Sequence, residues 1–174
     1  LVGLLWPEVG EARARASLSQ ALYALKRNTG EDELVLGHDV LTLNSDILRS
    51  DVSEFEHAIA RGDFAAAANL YSGPFLAGVF ISDAVDFEHW LDGVRLRLSQ
   101  AAEQALGALA MDAERRQDFA AASNWWRRLL GLDALKTRAV LGLMEALVAR
   151  GDRAEALRTA ERYAQRVRED LDGE

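Results

Sequence analysis

The N-terminal third of the chain contains a segment with a clear helical pattern. Between Glu11 and Asn28, apolar side chains recur at the spacing i, i+4, i+7, i+8 and i+11, which places them on one face of an α-helix. These positions are Ala14, Leu18, Ala21, Leu22 and Leu25. Gly30 follows, and glycine is the residue that most often ends a helix. The pattern therefore predicts an amphipathic helix over residues 11–28.

Two short apolar runs follow this helix. Residues 33–36 and 40–43 read as β-strands, and Gly37-His38-Asp39 between them reads as a three-residue turn. We therefore predict a β-hairpin over residues 33–43.

The order of these elements indicates a small DNA-binding domain. Leu1 to Trp6 reads as the last turn of a helix that Pro7 ends. A helix and then a hairpin at the end of a small domain is the order found in a winged helix. We interpret residues 1–48 as the C-terminal part of such a domain, with a recognition helix at about 11–28 and a wing at about 33–43.

Beyond Asp51 the pattern is helical throughout, and it contains a repeat. Three segments align: Gly62-Asp63-Phe64, Gln117-Asp118-Phe119 and Gly151-Asp152-Arg153. Each is followed by an alanine, at Ala67, Ala122 and Ala156. The last two alanines are 34 residues apart, which is the tetratricopeptide period, whereas the first two are 55 apart. We assign the extra residues to a loop over 72–83 and a lengthened helix after it.

The repeat predicts pairs of antiparallel helices over residues 49–174. The small alanines allow close approach, and larger side chains fill the space beside the next helix. We expect helices at about 51–61, 63–72, 85–116, 118–131, 134–150 and 152–171. Trp126 and Trp90 are both expected in the core, and Trp125 is expected there in preference to a binding surface. The predicted fold class is mainly α, with tetratricopeptide-like helical hairpins preceded by a partial winged helix with a β-hairpin.

Composition and charge narrow the possible functions. Hydrophobic residues make up 49% of the chain, enough for a packed core, and the absence of cysteine excludes disulfides and thiolate chemistry. No apolar run reaches the ~18 residues needed to span a bilayer. We expect a cytoplasmic protein with no membrane partner. The net charge is −8, yet residues 11–30 carry four cations against Glu11 alone.

Those cations lie on the predicted recognition helix. The face opposite the apolar one carries two of them together with uncharged residues: Arg13, Ser17, Gln20, Ala24 and Arg27. Arginine bonds guanine and glutamine bonds adenine in a bidentate manner in the major groove, which admits a helix. Flanking side chains would contact phosphates. The predicted DNA-binding residues are Arg13, Arg15, Ser17, Ser19, Gln20, Tyr23, Lys26 and Arg27. The alternative interpretation is a solvated polar face.

Other chemistry finds little support in the sequence. His38, His57 and His89 lack the spacing of metal ligands, and no catalytic triad, nucleophile elbow or phosphate-binding loop is present. We expect no enzyme activity and no cofactor. Asp39 at the hairpin turn would repel phosphates, so we rank the wing tip low as a DNA contact. Arg127 and Arg128 are interpreted as a solvated face in preference to a surface for an acidic partner.

Several motifs in order resemble a known family. They are Leu4-Leu5-Trp6-Pro7-Glu8, Ala12-Arg13-Ala14-Arg15-Ala16-Ser17-Leu18, Gln20-Ala21-Leu22-Tyr23-Ala24-Leu25-Lys26-Arg27, Asp51-Val52 with Phe55, Leu70-Tyr71-Ser72-Gly73-Pro74-Phe75-Leu76, and Phe87-Glu88 with Trp90, Arg95 and Arg97. Together they resemble bacterial transcriptional activator domain regulators of the antibiotic regulatory protein type. The resemblance implies an OmpR-like winged helix that binds double-stranded DNA, followed by a tetratricopeptide-like activator domain.

The resemblance also implies partners. It suggests a homodimer and contact with RNA polymerase or another regulator domain. The family's winged helix has a sheet and helices before the Leu-Trp-Pro segment, so we expect an incomplete one here. The alternative function is a helical-repeat interaction module of a larger signalling protein, without DNA binding of its own.

Overall fold

The computed structural model describes residues 1–172, which are mainly helical with one small antiparallel hairpin. The elements in chain order are α1 (Val2–Leu5), α2 (Glu11–Thr29), β1 (Val35–Leu36), β2 (Thr42–Leu43), α3 (Asp51–Ala60), α4 (Phe64–Leu70), α5 (Val85–Arg115), α6 (Phe119–Leu132), α7 (Thr137–Ala149) and α8 (Arg153–Asp172). The prediction of a mainly α fold that contains one β-hairpin is confirmed.

The chain forms two compact units. The first contains Leu1–Glu54 and Ser72–Leu98, and the second contains Phe55–Tyr71 and the described chain from Ser99 onward. The division therefore falls within α3 and within α5.

The first unit has a small core beside α1. Ala84, Phe87 and Leu91 are buried together, and Leu4, Leu5, Phe75 and Ile81 pack against them. Arg95 fixes the preceding loop, because its guanidinium donates to the carbonyl oxygens of Phe75 and Leu76, each at 2.9 Å. The aromatic ring of Trp90 contacts both Phe75 and Phe87, but it is 43% exposed. The expectation that Trp90 lies in the core is wrong, because the covered side of α5 here is the one that carries Phe87 and Leu91.

The hairpin is shorter than its sequence predicts. Val35 pairs with Leu43 and Leu36 pairs with Thr42, so the connection spans residues 37–41 instead of three residues. Gly37 has a φ of +90°, and a Cβ there would overlap the carbonyl oxygen of Val40. The chain therefore folds back tightly at Gly37. Val40 lies in the resulting loop and is 77% exposed, although its side chain is apolar.

The second unit contains three helix corners of one geometry. The residue before each corner aspartate has a positive φ: +71° at Gly62, +59° at Gln117 and +86° at Gly151. Each aspartate side chain then accepts a hydrogen bond from the backbone N–H three residues later. These are Asp63 with Ala66 at 3.1 Å, Asp118 with Ala121 at 3.0 Å and Asp152 with Glu155 at 3.2 Å. The aspartates thus cap α4, α6 and α8.

The alanines that follow the corners are buried, as the repeat requires. Ala67 and Ala122 have no exposed surface, and Ala156 is 4% exposed. Four residues beyond Ala122, Trp126 fills the core beside α7, where Gly142 faces its indole ring. Its Nε1 donates to Glu114 Oε1 at 2.7 Å, so the polar group of this buried side chain is satisfied.

The helix bounds agree with the predicted ones to within a few residues. The largest difference is at α7, which begins at Thr137 instead of residue 134. The carboxylate of Asp133 accepts from the N–H of Leu135 at 2.9 Å, and this local turn delays the helix. The long helix α5 is continuous through Gly93 and Gly107.

Candidate nucleic-acid interface

The polar face of α2 is open to solvent. Arg13, Gln20 and Arg27 are exposed, whereas Ser17 on the same face is half-buried. On the opposite side Ala14 is 2% exposed. The helix is therefore docked by one side and leaves a cationic side free, which is the arrangement that a groove-reading helix needs.

The apolar side of α2 is covered unevenly. Leu18 and Leu22 are half-buried, but Leu25 is 40% exposed and Ala21 is exposed. Only the N-terminal part of the predicted apolar face is thus packed against other residues of the first unit.

Two of the flanking candidates interact within the helix. Arg15 donates to Glu11 Oε1 through Nε at 3.0 Å and through Nη2 at 2.8 Å. This exposed pair lies one turn apart, so the cation is paired although it remains accessible. The hydroxyl of Ser19 donates to the carbonyl oxygen of Arg15 at 3.0 Å. Each is close to the exposed face, but neither has all of its donors free.

The remaining candidates lie towards the C-terminal end of α2. Tyr23 is 68% exposed. Lys26 is half-buried and lies with Arg27 in the last turn. Cations there interact favourably with the negative end of the helix dipole. Gly30, with a φ of +75°, ends the helix by donating its N–H to the carbonyl oxygen of Lys26 at 2.9 Å.

The hairpin loop lies beside the Arg15 side of α2. An open cleft there is lined by Arg15 and Leu18 from the helix and by residues 38–41 from the loop. Asp39 thus stands in the same cleft as Arg15, which adds negative charge to that flank. The two sides of α2 therefore differ: within residues 1–172 Arg13 and Arg27 on one side form no ion pair, whereas Arg15 on the other side lies close to Glu11 and Asp39.

Several side chains with structural roles carried no signal in the sequence. Arg128 donates to the carbonyl oxygen of Ala68, 60 residues away, and its guanidinium lies 5.2 Å from the centroid of the Trp125 ring. Lys136 binds Glu103 at 2.6 Å, and this ion pair raises the pKa of the lysine. These contacts depend on tertiary packing, which local periodicity does not specify.

Metal and membrane chemistry gain no support. His38, His57 and His89 are exposed, and no group of side chains among residues 1–172 could hold a metal ion. Within the same part of the chain, every helix is too short or too polar to cross a lipid bilayer.

Comparison with known proteins gives one finding. The family model described as bacterial transcriptional activator domain matches residues 46–174, from just before α3 to the end of the sequence. No curated protein and no solved structure matches the chain. Helix α2 and the hairpin precede the matched residues.

Proposed function

The chain belongs to the bacterial transcriptional activator domain family, and we propose that it is a DNA-binding transcriptional activator whose helix α2 reads the major groove. This family is one of regulatory domains and not of enzymes. In this proposal residues 1–48 are the C-terminal part of an OmpR-like winged helix, with the β1–β2 hairpin as its wing. Residues 49–174 are a tetratricopeptide-like activator domain.

The observation that carries the proposal is the exposed face of α2. Arg13, Gln20 and Arg27 follow one another at intervals of two helical turns, about 10 Å apart along the axis. The major groove is about 12 Å wide. With α2 lying across the groove and Gln20 over the base edges, Arg13 and Arg27 would reach the phosphate backbones on either side.

The division of roles follows from that spacing. Gln20 would specify sequence through adenine, whereas Arg13 and Arg27 would position the helix by charge. Ser17 would lie beside the bases, and Arg15, Ser19, Tyr23 and Lys26 would contact the backbone on the flank nearer the hairpin.

Duplex binding tests the proposal directly. We would measure the fluorescence anisotropy of a labelled DNA duplex with the whole chain over a series of salt concentrations. Replacing both Arg13 and Arg27 by alanine should reduce the slope of log affinity against log salt by up to about 1.8, since each phosphate contact contributes about 0.9. Arg153→Ala with Arg168→Ala, two exposed cations on α8, is the matched control.

The result of this experiment distinguishes a DNA-binding regulator from an interaction module that does not bind DNA. A loss confined to the α2 variant supports DNA reading by this helix. Equal affinities for the α2 variant, the α8 control and the native chain would refute it and would favour the alternative, an interaction module without DNA binding of its own.

The activator domain would supply the protein contacts. We propose that it forms a homodimer and contacts RNA polymerase or another regulator domain. Pairing two copies of α2 would lengthen the DNA sequence that is read, with half-sites about one helical turn apart. Light scattering coupled to size exclusion would test the dimer: a mass near 19.1 kDa at every concentration contradicts it.

A further inference from the structure

A second cationic surface lies far from α2 in sequence, on helices α6 to α8. Arg127 of α6 and Arg162 and Arg166 of α8 line one pocket of about 280 Å³. Glu155 is the one carboxylate in that lining. The lining therefore has an excess of two positive charges in a chain whose net charge is −8. Such a concentration of guanidinium groups is suited to an anion.

The single carboxylate offsets only part of the positive charge of the pocket, because it is shared with Arg158, which lies outside the lining. Glu155 Oε2 accepts from Arg158 Nε at 2.8 Å, and Glu155 Oε1 accepts from Arg162 Nη2 at 2.7 Å. These hydrogen bonds hold the pKa of Glu155 below its usual range. Arg162 also donates to Thr159 Oγ1 at 3.2 Å, which fixes its orientation.

The other two arginines keep donors available. Arg127 donates one hydrogen bond, to Asn124 Oδ1 at 3.3 Å. Arg166 makes no ion pair with any of residues 1–172, although Glu169 and Asp170 follow it on the same helix. A guanidinium has five N–H donors, so both side chains can bind an anion without losing an existing partner.

The spacing along α8 adds a physical reason to expect a ligand. Glu155 bonds both Arg158 and Arg162, but Arg166, four residues beyond Arg162, faces a like charge one turn away. Like charges at this spacing destabilise a helix. An anion between α6 and α8 would relieve that repulsion.

The floor of the pocket is apolar. It is formed by Leu130, Val140 and Leu143, and the hydroxyls of Tyr163 and Thr137 meet at 2.8 Å beside it. A cavity of about 150 Å³ holds a benzene molecule. The pocket therefore has room for an anionic head group together with a small apolar carrier.

We propose that this pocket binds a phosphate monoester, with the phosphoryl group held by Arg127, Arg162 and Arg166 and its carrier seated on Leu130 and Leu143. The phosphoryl dianion matches the charge excess of two. No residue of α2 lines the pocket, so the proposal adds a ligand to the regulator and does not depend on DNA binding.

Phenyl phosphate is the probe that fits both parts of the pocket. We would titrate it into the ¹⁵N-labelled whole chain and follow amide shifts by NMR. Saturable shifts on α6 and α8 are expected, and Arg127→Gln or Arg166→Gln should weaken binding about tenfold, as expected for one lost charge-assisted hydrogen bond. The control is Arg153→Gln, since Arg153 is exposed on α8 but does not line the pocket.

Inorganic phosphate distinguishes the two sources of the phosphoryl group. Equal affinity for both probes identifies free phosphate as the sufficient ligand, and tighter binding of phenyl phosphate identifies a carried phosphoryl group. Shifts that grow without saturation, or Arg127 and Arg166 variants that bind as the control does, would overturn the proposal. Unchanged melting temperatures in these variants establish that folding is intact.

Discussion

The contact between α7 and Trp126 allows one prediction to be worked out in detail. Gly142 is buried against the indole ring, and a Cβ at this position would overlap three atoms of that ring. Trp126 has no room to yield, because it is 1% exposed and its Nε1 is bonded to Glu114. Gly142→Ala should therefore destabilise the second unit.

Three contributions set the magnitude. Inserting a methyl group into a well-packed core costs about 2 kcal/mol. Displacing the indole weakens its hydrogen bond to Glu114, which costs about 1 kcal/mol. Alanine is a better helix former than glycine by about 1 kcal/mol, and this offsets part of the loss. The net destabilisation is about 2 kcal/mol, which corresponds to a fall in Tm of about 4–8 °C for a chain of this size.

Gly107 provides the matched control. It also lies inside a helix, α5, but nothing lies within 4 Å of the position that a Cβ would occupy. Gly107→Ala should therefore gain only the helix propensity, about 1 kcal/mol, and raise Tm by about 2–4 °C. Thermal unfolding followed by circular dichroism would compare the two variants. If Gly142→Ala melted at or above the temperature of Gly107→Ala, the packing of Trp126 against α7 would be incorrect.

The remaining predictions concern the corners and α1, and each is measured by the same thermal unfolding. Gln117→Gly should raise Tm by about 2–4 °C, because Gln117 has a φ of +59° that glycine adopts at no cost; a lower Tm would contradict this. Asp118→Ala should lower Tm by about 2–4 °C through loss of the cap on α6, and an unchanged Tm would show that the cap contributes nothing. Replacing the half-buried Leu4 and Leu5 by alanine should remove about 1 kcal/mol each, and an unaltered transition of the first unit would show that α1 does not pack on α5.

Local rules predicted the elements that depend on local chemistry. Helix α2 was predicted from its apolar spacing and from Gly30, and the three corners were located by aligning the short segments that contain Asp63, Asp118 and Asp152. These features involve residues that are at most a few positions apart. The aspartate of each segment and the alanine that follows it were enough to align the repeat, although one corner carries Gln117 in place of glycine.

What escaped prediction depends on neighbours that are distant in sequence. The spacing of Phe87 and Trp90 suggested one buried face, yet only Phe87 is covered. Val40 reads as a strand residue, but the turn at Gly37 places it in the loop. The candidate interface shows the same limit: the helix was predictable, whereas the position of Asp39 in the same cleft as Arg15 emerges only from the folded chain.

The division into units bears on how such a regulator is organised. Residues 72–98 lie within the part of the chain that the family model matches, yet they form one compact unit with α2. The cause is the cluster of Phe87 and Leu91 with Leu4 and Leu5, which joins the first half of α5 to the segment that precedes α2. The boundary of the family domain in sequence is therefore not the boundary of the packed unit. A ligand or partner that contacts residues 72–98 acts on the same unit that carries the candidate DNA-reading face.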